Sequence, residues 1–175
     1  MLLKLKGFTD ATAIDLNMGY YNILLTPESS RLCTIVLPWG KYFYTALPMG
    51  LASSPDIFQE KMNNLFSGLE YVRCYIDDIL CITKGDWDDH LTKLDEVLQR
   101  LKDSGMKVNA SKTFFGKEQL DYLGYTFSKK GISPITKKVD AIRKIAPPKT
   151  CKQLRLFLGM VNYYRDMWIR LSHCL

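Results

Sequence analysis

The chain has 175 residues, of which 47% are hydrophobic and 24% are charged, so one ordinary domain with a sizeable buried core is expected. No apolar run approaches the roughly 20 residues that a membrane-spanning helix needs, and the early polar segment argues against a signal peptide. The five cysteines form no Cys-x-x-Cys pair, which argues against a structural zinc site and favours buried, reduced thiols in an intracellular protein.

Charge is distributed unevenly along the chain. Residues 1–100 carry 9 Lys and Arg against 13 Asp and Glu, whereas residues 101–175 carry 15 against 5. The net charge of +6 is therefore −4 in the first part and +10 in the second. A basic end joined to an acidic body suggests that a polyanion lies across one part of the molecule, and a solvated basic surface is the alternative.

The first part of the chain predicts a strand, a hairpin and a helix. Residues 11–16 read as a short strand, and residues 32–47, rich in β-branched and aromatic side chains, are typical of a β-hairpin. Ser54 and Pro55 suit the cap and first turn of a helix. The apolar residues of this helix recur at helical spacing: Phe58, Met62, Leu65, Phe66 and Leu69.

A second hairpin and a second helix follow. Residues 71–76 and 79–83 are strand-like runs on either side of Asp77 and Asp78, so the two carboxylates are expected at a hairpin tip. Asp86, Asp88 and Asp89 suit the positive N-terminal end of the next helix. This helix is expected to bury an apolar stripe: Leu91, Leu94, Val97, Leu98 and Leu101.

The last third predicts short strands and then basic helices. Short strands are expected over residues 107–109, 113–115 and 122–127. Residues 134–146 read as a basic helix, and a last helix is expected after Thr150, which forms a capping-box pattern with Gln153. The apolar face of the last helix consists of Leu154, Phe157, Leu158 and Val161.

Three carboxylates point to chemistry. Asp77 and Asp78 lie between two apolar runs, where acidic side chains are costly, although a solvated turn is the ordinary setting for such a pair. If the strand that carries Asp15 lies beside the hairpin that carries Asp77 and Asp78, three carboxylates meet at one sheet edge. They repel one another unless a cation is present. Oxygen ligands favour Mg²⁺ or Mn²⁺, and two such ions about 4 Å apart serve in-line phosphoryl displacement.

Sequence boxes around these carboxylates resemble those of reverse transcriptases. Tyr75, Ile76, Asp77 and Asp78 resemble the Tyr-x-Asp-Asp box of that family. The other boxes occur in the family's order, at residues 13–21, 47–59, 105–109 with Lys112, 122–125 and 154–164. Together they cover essentially the whole chain, which is therefore similar to the reverse transcriptases of gypsy-like LTR retrotransposons or retroviral-type polyproteins.

The resemblance implies an α+β fold, the right-hand polymerase, with an antiparallel palm sheet backed by helices. Residues 1–131 would form the palm, with residues 23–53 inserted as part of the fingers, and residues 132–175 would begin a helical thumb. The chain would then be truncated at both ends, without the first strands of the fingers, the rest of the thumb, the connection and the RNase H domain.

The activity implied by the resemblance is RNA-directed DNA polymerisation by two-metal phosphoryl transfer. Asp15, Asp77 and Asp78 would be catalytic and would hold two Mg²⁺ (or Mn²⁺) ions together with the backbone carbonyl of Leu16. The partners would be an RNA or DNA template with its primer, deoxynucleoside triphosphates and the remainder of the polyprotein, with no membrane. The protein would act in the cytoplasm, in virus-like particles, with a nuclear stage left open.

Four residues would bind the incoming nucleotide. Tyr20 would lie under the sugar and exclude a 2′-hydroxyl, and a core tyrosine is the alternative. Met49 would make an apolar contact, since many relatives have Gln or Phe there, while a turn explains Gly50 as well as a nucleotide contact does. Lys112 would lie near the triphosphate unless it is a solvated loop lysine.

Five residues would contact the primer or template: Tyr75, Gln59, Tyr122, Leu123 and Gly124. An exposed helix glutamine explains Gln59 equally well, and a tight hairpin explains Gly124 equally well. The Lys and Arg residues between positions 129 and 155 would contact duplex phosphates, with a solvated basic face as the rival interpretation.

Two other functions stay open. One is a polymerase of the same fold that copies another kind of template. The other is a non-catalytic retroelement fragment or a domesticated nucleic-acid-binding module, against which the intact Asp15, Asp77 and Asp78 argue. A protease upstream and an RNase H downstream in the reading frame would settle a polyprotein origin.

Overall fold

The computed structural model describes residues 7–129 and 131–165. The described backbone packs as two compact units, which are Gly7–Glu118 and the described residues from Gln119 onward. This division differs from the expected palm–thumb boundary at 131/132, which stays a prediction. Within the two described stretches, no helix is long and apolar enough to cross a membrane.

The described residues form nine strands and five α-helices. The strands are β1 (Asp10–Asp15), β2 (Thr34–Leu37), β3 (Gly40–Phe43), β4 (Val72–Tyr75), β5 (Asp78–Thr83), β6 (Phe114–Lys117), β7 (Gln119–Tyr122), β8 (Tyr125–Ser128) and β9 (Gly131–Pro134). The helices are α1 (Pro27–Leu32), α2 (Ser54–Leu65), α3 (Trp87–Asp103), α4 (Thr136–Arg143) and α5 (Cys151–Asn162).

An antiparallel sheet in the order β4-β5-β1-β6 forms the centre of the first unit. β1 pairs with β5 along its whole length and ends at the pair Asp15↔Asp78. Side chains alternate along a strand, so Thr12 and Ile14 share the helix-covered face of β1 and Asp15 lies on the opposite face. The predicted first strand and the hairpin around Asp77 are therefore confirmed.

Helices α2 and α3 cover one face of this sheet and build its hydrophobic core. α3 packs on β1 and β5, and α2 packs on β4. Both helices contribute fully buried side chains, which include Phe58, Met62, Val97 and Leu101. Each such burial contributes about 1.5–3 kcal/mol, so this apolar layer is what holds the strands that carry the carboxylates in place.

A separate hairpin, β2–β3, confirms the prediction for residues 32–47. The helix before it, α1, begins at Pro27 and is capped by Thr26, whose Oγ1 accepts a hydrogen bond from the Ser29 N–H at 3.3 Å. Large apolar side chains of the hairpin are exposed: Val36, Trp39, Tyr42 and Phe43. The hairpin therefore extends away from the hydrophobic core.

The second unit contains the antiparallel meander β7-β8-β9 and the helices α4 and α5. The capping box predicted at α5 is present in part. Thr150 Oγ1 accepts from the Gln153 N–H at 3.2 Å, while Gln153 Oε1 accepts from the Lys149 N–H at 2.8 Å. Tyr125 of β8 stacks on Tyr163, which directly follows α5, with 5.8 Å between ring centroids.

Two predictions for the helices of the first unit are wrong. Ser54 does not cap α2, because the cap position is Ser53 and the Ser54 hydroxyl donates to the Pro48 carbonyl at 2.7 Å. Leu91 is not buried, because α3 directs the preceding residue, His90, into the protein instead. The buried stripe of α3 is therefore displaced by one residue at its N-terminal end.

The prediction of a single strand over residues 122–127 is also wrong. Leu123 and Gly124 both have positive φ and form a turn that separates β7 from β8. The basic helix expected over residues 134–146 is the shorter α4. Leu154, expected on the buried face of α5, is 45% exposed.

The cysteines follow the expected pattern only in part. Cys33, Cys74, Cys81 and Cys151 are free thiols, of which Cys81 is buried and Cys33 and Cys74 are half-buried. Cys151 is exposed at the start of α5, which contradicts the expectation of uniformly buried thiols. Cys174 lies outside the described residues.

Candidate active site

Asp15 and Asp78 oppose each other across the β1–β5 pair, at one end of the sheet. Directly opposed residues of antiparallel strands carry their side chains on the same face, with Cβ atoms about 5 Å apart. Both carboxylates therefore lie on the sheet face opposite α2 and α3. The structure thus brings together two of the three predicted catalytic residues through backbone register alone.

Asp77 lies in the turn between β4 and β5. The turn consists of Ile76 and Asp77, since Tyr75 pairs with Asp78. Asp78 therefore begins β5 and only Asp77 is a true tip residue, which refines the predicted hairpin. The Leu16 N–H donates to the Asp77 carbonyl at 3.3 Å, so a backbone hydrogen bond ties the turn to the end of β1.

The backbone of Leu16 faces the turn. Two backbone hydrogen bonds attach this segment to residues 107–109, since the Asn17 N–H donates to the Lys107 carbonyl and the Asp15 carbonyl accepts from the Asn109 N–H. Leu16 directs its own N–H to the other side, toward Asp77. In extended backbone the carbonyl of a residue points to the same side as its N–H, so the Leu16 carbonyl lies on the side of the β4–β5 turn.

Negative charge accumulates at this end of the sheet. Burial raises the pKa of Asp78, and the charges of Asp77 and then Asp15 raise it further. Lys112 supplies a nearby positive charge, with its Nζ 3.9 Å from Asp15 Oδ1. A cation beside these groups would favour their ionised forms.

The donor atoms suit a hard divalent cation, although the side chains are not gathered around one point. Within residues 7–129 and 131–165, no group of three or more His, Cys, Asp or Glu side chains is arranged to hold a metal ion. The available donors are carboxylate oxygens and the Leu16 carbonyl, which are the ligand type that Mg²⁺ and Mn²⁺ prefer. The donor set therefore fits such an ion in its chemistry, and binding requires the carboxylates to rotate toward one another.

Tyr20 lies between the core and the carboxylates. Its ring stacks on Phe58, with 4.7 Å between centroids and 16° between planes. Gly19 permits this packing, because a Cβ at that position would lie 2.7 Å from Phe58 Cζ. Burial raises the pKa of Tyr20, and the charges of Asp77 and Tyr75 add to the effect. The ring therefore packs against the core, as the structural alternative expects, and its contact with the sugar of a nucleotide stays a prediction.

The other predicted nucleotide contacts are exposed. Met49 is 57% exposed in the loop before α2, and its neighbour Gly50 has a φ of 100° with open space where a Cβ would lie. The turn alone therefore explains the glycine. Lys112 lies beside the carboxylates, with its Nζ 3.9 Å from Asp15 Oδ1. Tyr75, a predicted primer or template contact, is paired with Asp78 across the β4–β5 hairpin.

Gln59, predicted to contact primer or template, lies on α2 next to the turn. Its Oε1 accepts a hydrogen bond from the Ile76 N–H at 2.7 Å. Its Nε2 donates to the Cys74 carbonyl at 3.2 Å and to Asn63 Oδ1 at 2.9 Å. The carboxamide is therefore bound to the backbone of the hairpin that carries Asp77.

The remaining predicted primer contacts belong to the second unit. Tyr122 is buried there at the end of β7. The turn that follows is held by hydroxyl groups, since Tyr163 donates to the Leu123 carbonyl at 2.6 Å and Tyr164 donates to the Gly124 carbonyl at 3.3 Å. The two carbonyls thus link the β7–β8 turn to the residues that follow α5.

A buried polar network between α3 and the sheet was not predicted. His90 is fully buried, with Nε2 2.8 Å from Thr12 Oγ1 and Nδ1 2.8 Å from Thr83 Oγ1. The Gly116 N–H also donates to Thr12 Oγ1, at 3.1 Å. The available signal was spacing, since His90 precedes the buried residues of α3 at helical intervals.

The chain is similar to known proteins over most of its length. A family model described as "Reverse transcriptase (RNA-dependent DNA polymerase)" matches residues 2–127. The Transposon Tf2-3 polyprotein of Schizosaccharomyces pombe is 33% identical over 167 residues, which are 94% of this chain and 12% of that polyprotein. The Transposon Tf2-7 polyprotein of the same organism is 32% identical over the same shares. The chain therefore spans 12% of the length of these curated relatives.

Solved structures share the architecture. The foamy viral protease-reverse transcriptase in complex with double-stranded DNA superimposes with a TM-score of 0.86 at 26% identity, covering 94% of this chain and 29% of that chain. The same viral protein in complex with an RNA/DNA hybrid gives 0.81 at 26% identity, covering 94% and 22%. The predicted α+β polymerase fold, with an antiparallel sheet backed by helices, is thereby confirmed.

Proposed function

Because this chain belongs to the reverse transcriptase (RNA-dependent DNA polymerase) family, we propose that it is the polymerase core of a retroelement polyprotein and extends a primer on an RNA template. The observation that carries the proposal is the cross-strand pair of Asp15 and Asp78, with Asp77 in the adjoining turn. Phosphoryl transfer requires this kind of donor set, in which several oxygen ligands lie on one open face.

Members of this family use divalent metal ions. We assign two such ions, Mg²⁺ or Mn²⁺, to the carboxylates of Asp15, Asp77 and Asp78 and to the Leu16 carbonyl. Bound ions supply stabilisation of the charge that develops on the attacking and leaving oxygens. The raised pKa of Asp78 is consistent with the assignment, because burial and then the negative charges of Asp77 and Asp15 disfavour its ionised form until positive charge is nearby.

The neighbouring residues orient the substrates in this proposal. Tyr20 presents a ring fixed by Phe58 to the sugar of the incoming nucleotide, where it excludes a 2′-hydroxyl. Lys112 places a positive charge at the triphosphate end of the site, and Met49 and Gly50 border the nucleotide from the loop before α2. Tyr122, Leu123 and Gly124 contact the primer, and Tyr75 contacts the primer or template beside the carboxylates.

The proposed macromolecular partners are a primer–template duplex and the rest of a polyprotein. The foamy viral relatives are described in complex with double-stranded DNA and with an RNA/DNA hybrid. The excess of Lys and Arg over residues 101–175 supports a similar partner for this chain, since phosphate contacts come chiefly from basic side chains. The proposed setting is a virus-like particle in the cytoplasm.

Substitution of Asp77 tests the proposed chemistry. In the polymerase region of the polyprotein, Asp77→Asn should reduce nucleotide addition by about 10³-fold or more, because charge stabilisation is the main catalytic contribution in phosphoryl transfer. The affinity for primer–template should change little. Primer extension and duplex binding are measured beside Asp88→Asn, an exposed α3 residue that should keep full activity.

This experiment has three possible outcomes, each of which leads to a different conclusion. Loss of extension with retained duplex binding supports the proposal. Retained turnover in Asp77→Asn refutes the assignment of the carboxylates. A wild-type region that binds duplex without extending it, with either metal ion present, favours the alternative of a non-catalytic nucleic-acid-binding module.

A further inference from the structure

The turn that carries Asp77 has an unusual backbone conformation. Ile76 has a φ of 55°, in the left-handed region where a β-branched side chain is strained. Such a conformation persists only where surrounding contacts hold it. Because Asp77 directly follows Ile76, the contacts that hold Ile76 also set the direction in which the Asp77 carboxylate leaves the turn.

The carboxamide of Gln59 binds the backbone at Ile76 and at Cys74, two residues earlier. Its Oε1 accepts from the Ile76 N–H at 2.7 Å, and its Nε2 donates to the Cys74 carbonyl at 3.2 Å. The second Nε2 proton goes to Asn63 Oδ1, one helical turn further along α2, at 2.9 Å. Exchanging the oxygen and nitrogen of the amide would place a donor against the Ile76 N–H, so these partners fix its orientation.

The location of β4 explains why a side chain takes this role. β4 is an edge strand of the four-stranded sheet, so its outward backbone groups have no neighbouring strand within that sheet. Gln59 projects from α2 to this edge and pairs with one carbonyl and one N–H, as a further strand would. The Cys74 thiol adds a contact from within the hairpin, with Sγ 3.2 Å from the Ile76 carbonyl.

We propose that Gln59 is a positioning residue for Asp77, which it orients through the backbone of Ile76. This inference rests on the proposed function, since it gives Gln59 a part in nucleotide addition. Gln59 thereby acts on catalysis from within the protein, in place of the primer or template contact that the resemblance implies. Both amide protons and the oxygen of its carboxamide are engaged by the hairpin and by α2.

Steady-state kinetics separate these two roles. Gln59→Leu keeps the approximate size of the side chain and removes its hydrogen bonds. We expect kcat to fall about 10–100-fold, the effect of a displacement on the order of 1 Å at the reacting groups. The primer–template Kd and the nucleotide KM should stay within about 2-fold, since no ground-state contact is lost. Gln99→Leu, at an exposed glutamine of α3, is the matched control and should leave all three constants unchanged.

The opposite kinetic result overturns the proposal. A template-contacting glutamine would raise the primer–template Kd while kcat at saturation stays constant. Full kcat in Gln59→Leu, with an active wild type, would refute the positioning role and leave the proposed function intact. An inactive wild-type polymerase region would refute the proposed function itself, so the two failures are distinguishable.

Hydrogen exchange tests the contact without catalysis. In the 175-residue chain, the Ile76 amide should be protected from exchange, and Gln59→Leu should speed its exchange about 10-fold or more. The Ile79 and Leu80 amides in β5 should exchange as in wild type, which excludes general unfolding. Unchanged exchange at Ile76 would show that Gln59 does not hold the turn.

A double substitution tests the link between strain and positioning. Glycine adopts positive φ without the steric cost of a Cβ, so Ile76→Gly removes the strain that Gln59 opposes. Gln59→Leu should therefore reduce kcat by a smaller factor in the Ile76→Gly background than in wild type. Equal factors in both backgrounds would refute the proposed route through Ile76.

Discussion

Replacement of His90 by alanine tests how the sheet is held beneath the carboxylates. The hydrogen-bond partners assign a neutral ring with its proton on Nδ1. Thr83 donates its own proton to the Asp10 carbonyl at 3.4 Å, so its oxygen accepts from Nδ1. Thr12 accepts from the Gly116 N–H and donates its own proton to Nε2. One side chain of α3 thus joins β1, β5 and, through Thr12, β6.

The structure sets the size of the expected loss. In His90→Ala the Thr12 hydroxyl loses its acceptor, and an unsatisfied buried polar group costs about 1–3 kcal/mol. Thr83 keeps Asp10 as an acceptor, so its lost hydrogen bond costs about 1 kcal/mol. The cavity left by a fully buried ring adds about 1–2 kcal/mol. The free energy of unfolding should fall by about 3–6 kcal/mol, out of the roughly 5–15 kcal/mol that is typical.

The same residue makes stability depend on pH. Burial lowers the pKa of His90, the charges of Asp10 and Asp89 raise it in part, and Lys93 lowers it again. Because the net shift is downward, the unfolded chain binds a proton before the folded chain does as pH falls. The contribution of neutral His90 is present above the unfolded pKa of about 6.5 and is lost below it, by at most about 1.4 kcal/mol per pH unit.

Urea unfolding followed by circular dichroism measures both effects. Wild type, His90→Ala and the control Leu91→Ala are compared at about pH 8 and about pH 5.5, on either side of the ordinary histidine pKa. The control residue is the exposed neighbour on α3 and should cost less than about 1 kcal/mol. A loss of less than about 1 kcal/mol in the free energy of unfolding for His90→Ala, or a loss that does not shrink at the lower pH, would contradict the role of His90 in stability.

Three further predictions address the site, the sheet and the duplex contact. Tyr20→Val should raise ribonucleotide incorporation relative to deoxynucleotide incorporation in primer extension, because it opens space for a 2′-hydroxyl; an unchanged ratio would return Tyr20 to a purely structural role. Gly116→Ala should lower the urea midpoint by more than Gly68→Ala, because both glycines have positive φ but only the first would place a Cβ against Trp87; equal effects would contradict the contact. Duplex binding by the 175-residue chain should be weak and independent of nucleotide sequence. The affinity should be at least about 10-fold lower at about 200 mM than at about 50 mM salt, and salt-insensitive binding would contradict contact through the basic C-terminal part.

The place of the carboxylates was predictable because it depends on local patterns. Asp15 ends one apolar run, and Asp77 and Asp78 lie between two others. When such runs pair as antiparallel neighbours, their acidic ends meet, and the pair Asp15↔Asp78 confirms this. The sequence could not show that Asp78 already belongs to β5, because the pairing of Tyr75 with Asp78 determines where the turn ends.

The polar contacts beneath the site were not predictable in the same way. His90 finds its partners 78 residues earlier, at Thr12, and 7 residues earlier, at Thr83, so the contact exists only after α3 packs on the sheet. Helical spacing places Leu91 and His90 on adjacent parts of the helix surface, so the sequence does not show which of them is buried. His90 is the buried one, because it forms hydrogen bonds with threonines of the sheet. Gln59 likewise gains its role from a turn that is 17 residues away in sequence.

The short interval between Thr12 and Asp15 limits how this strand can change in evolution. Thr12 is bound to His90 on one face of β1, and Asp15 faces Asp78 on the other. A single inserted or deleted codon between them would turn every following side chain to the opposite face, so one of the two contacts would be lost. Length variation in active descendants of this sequence should therefore accumulate in the loops, and the spacing of these two residues should stay fixed.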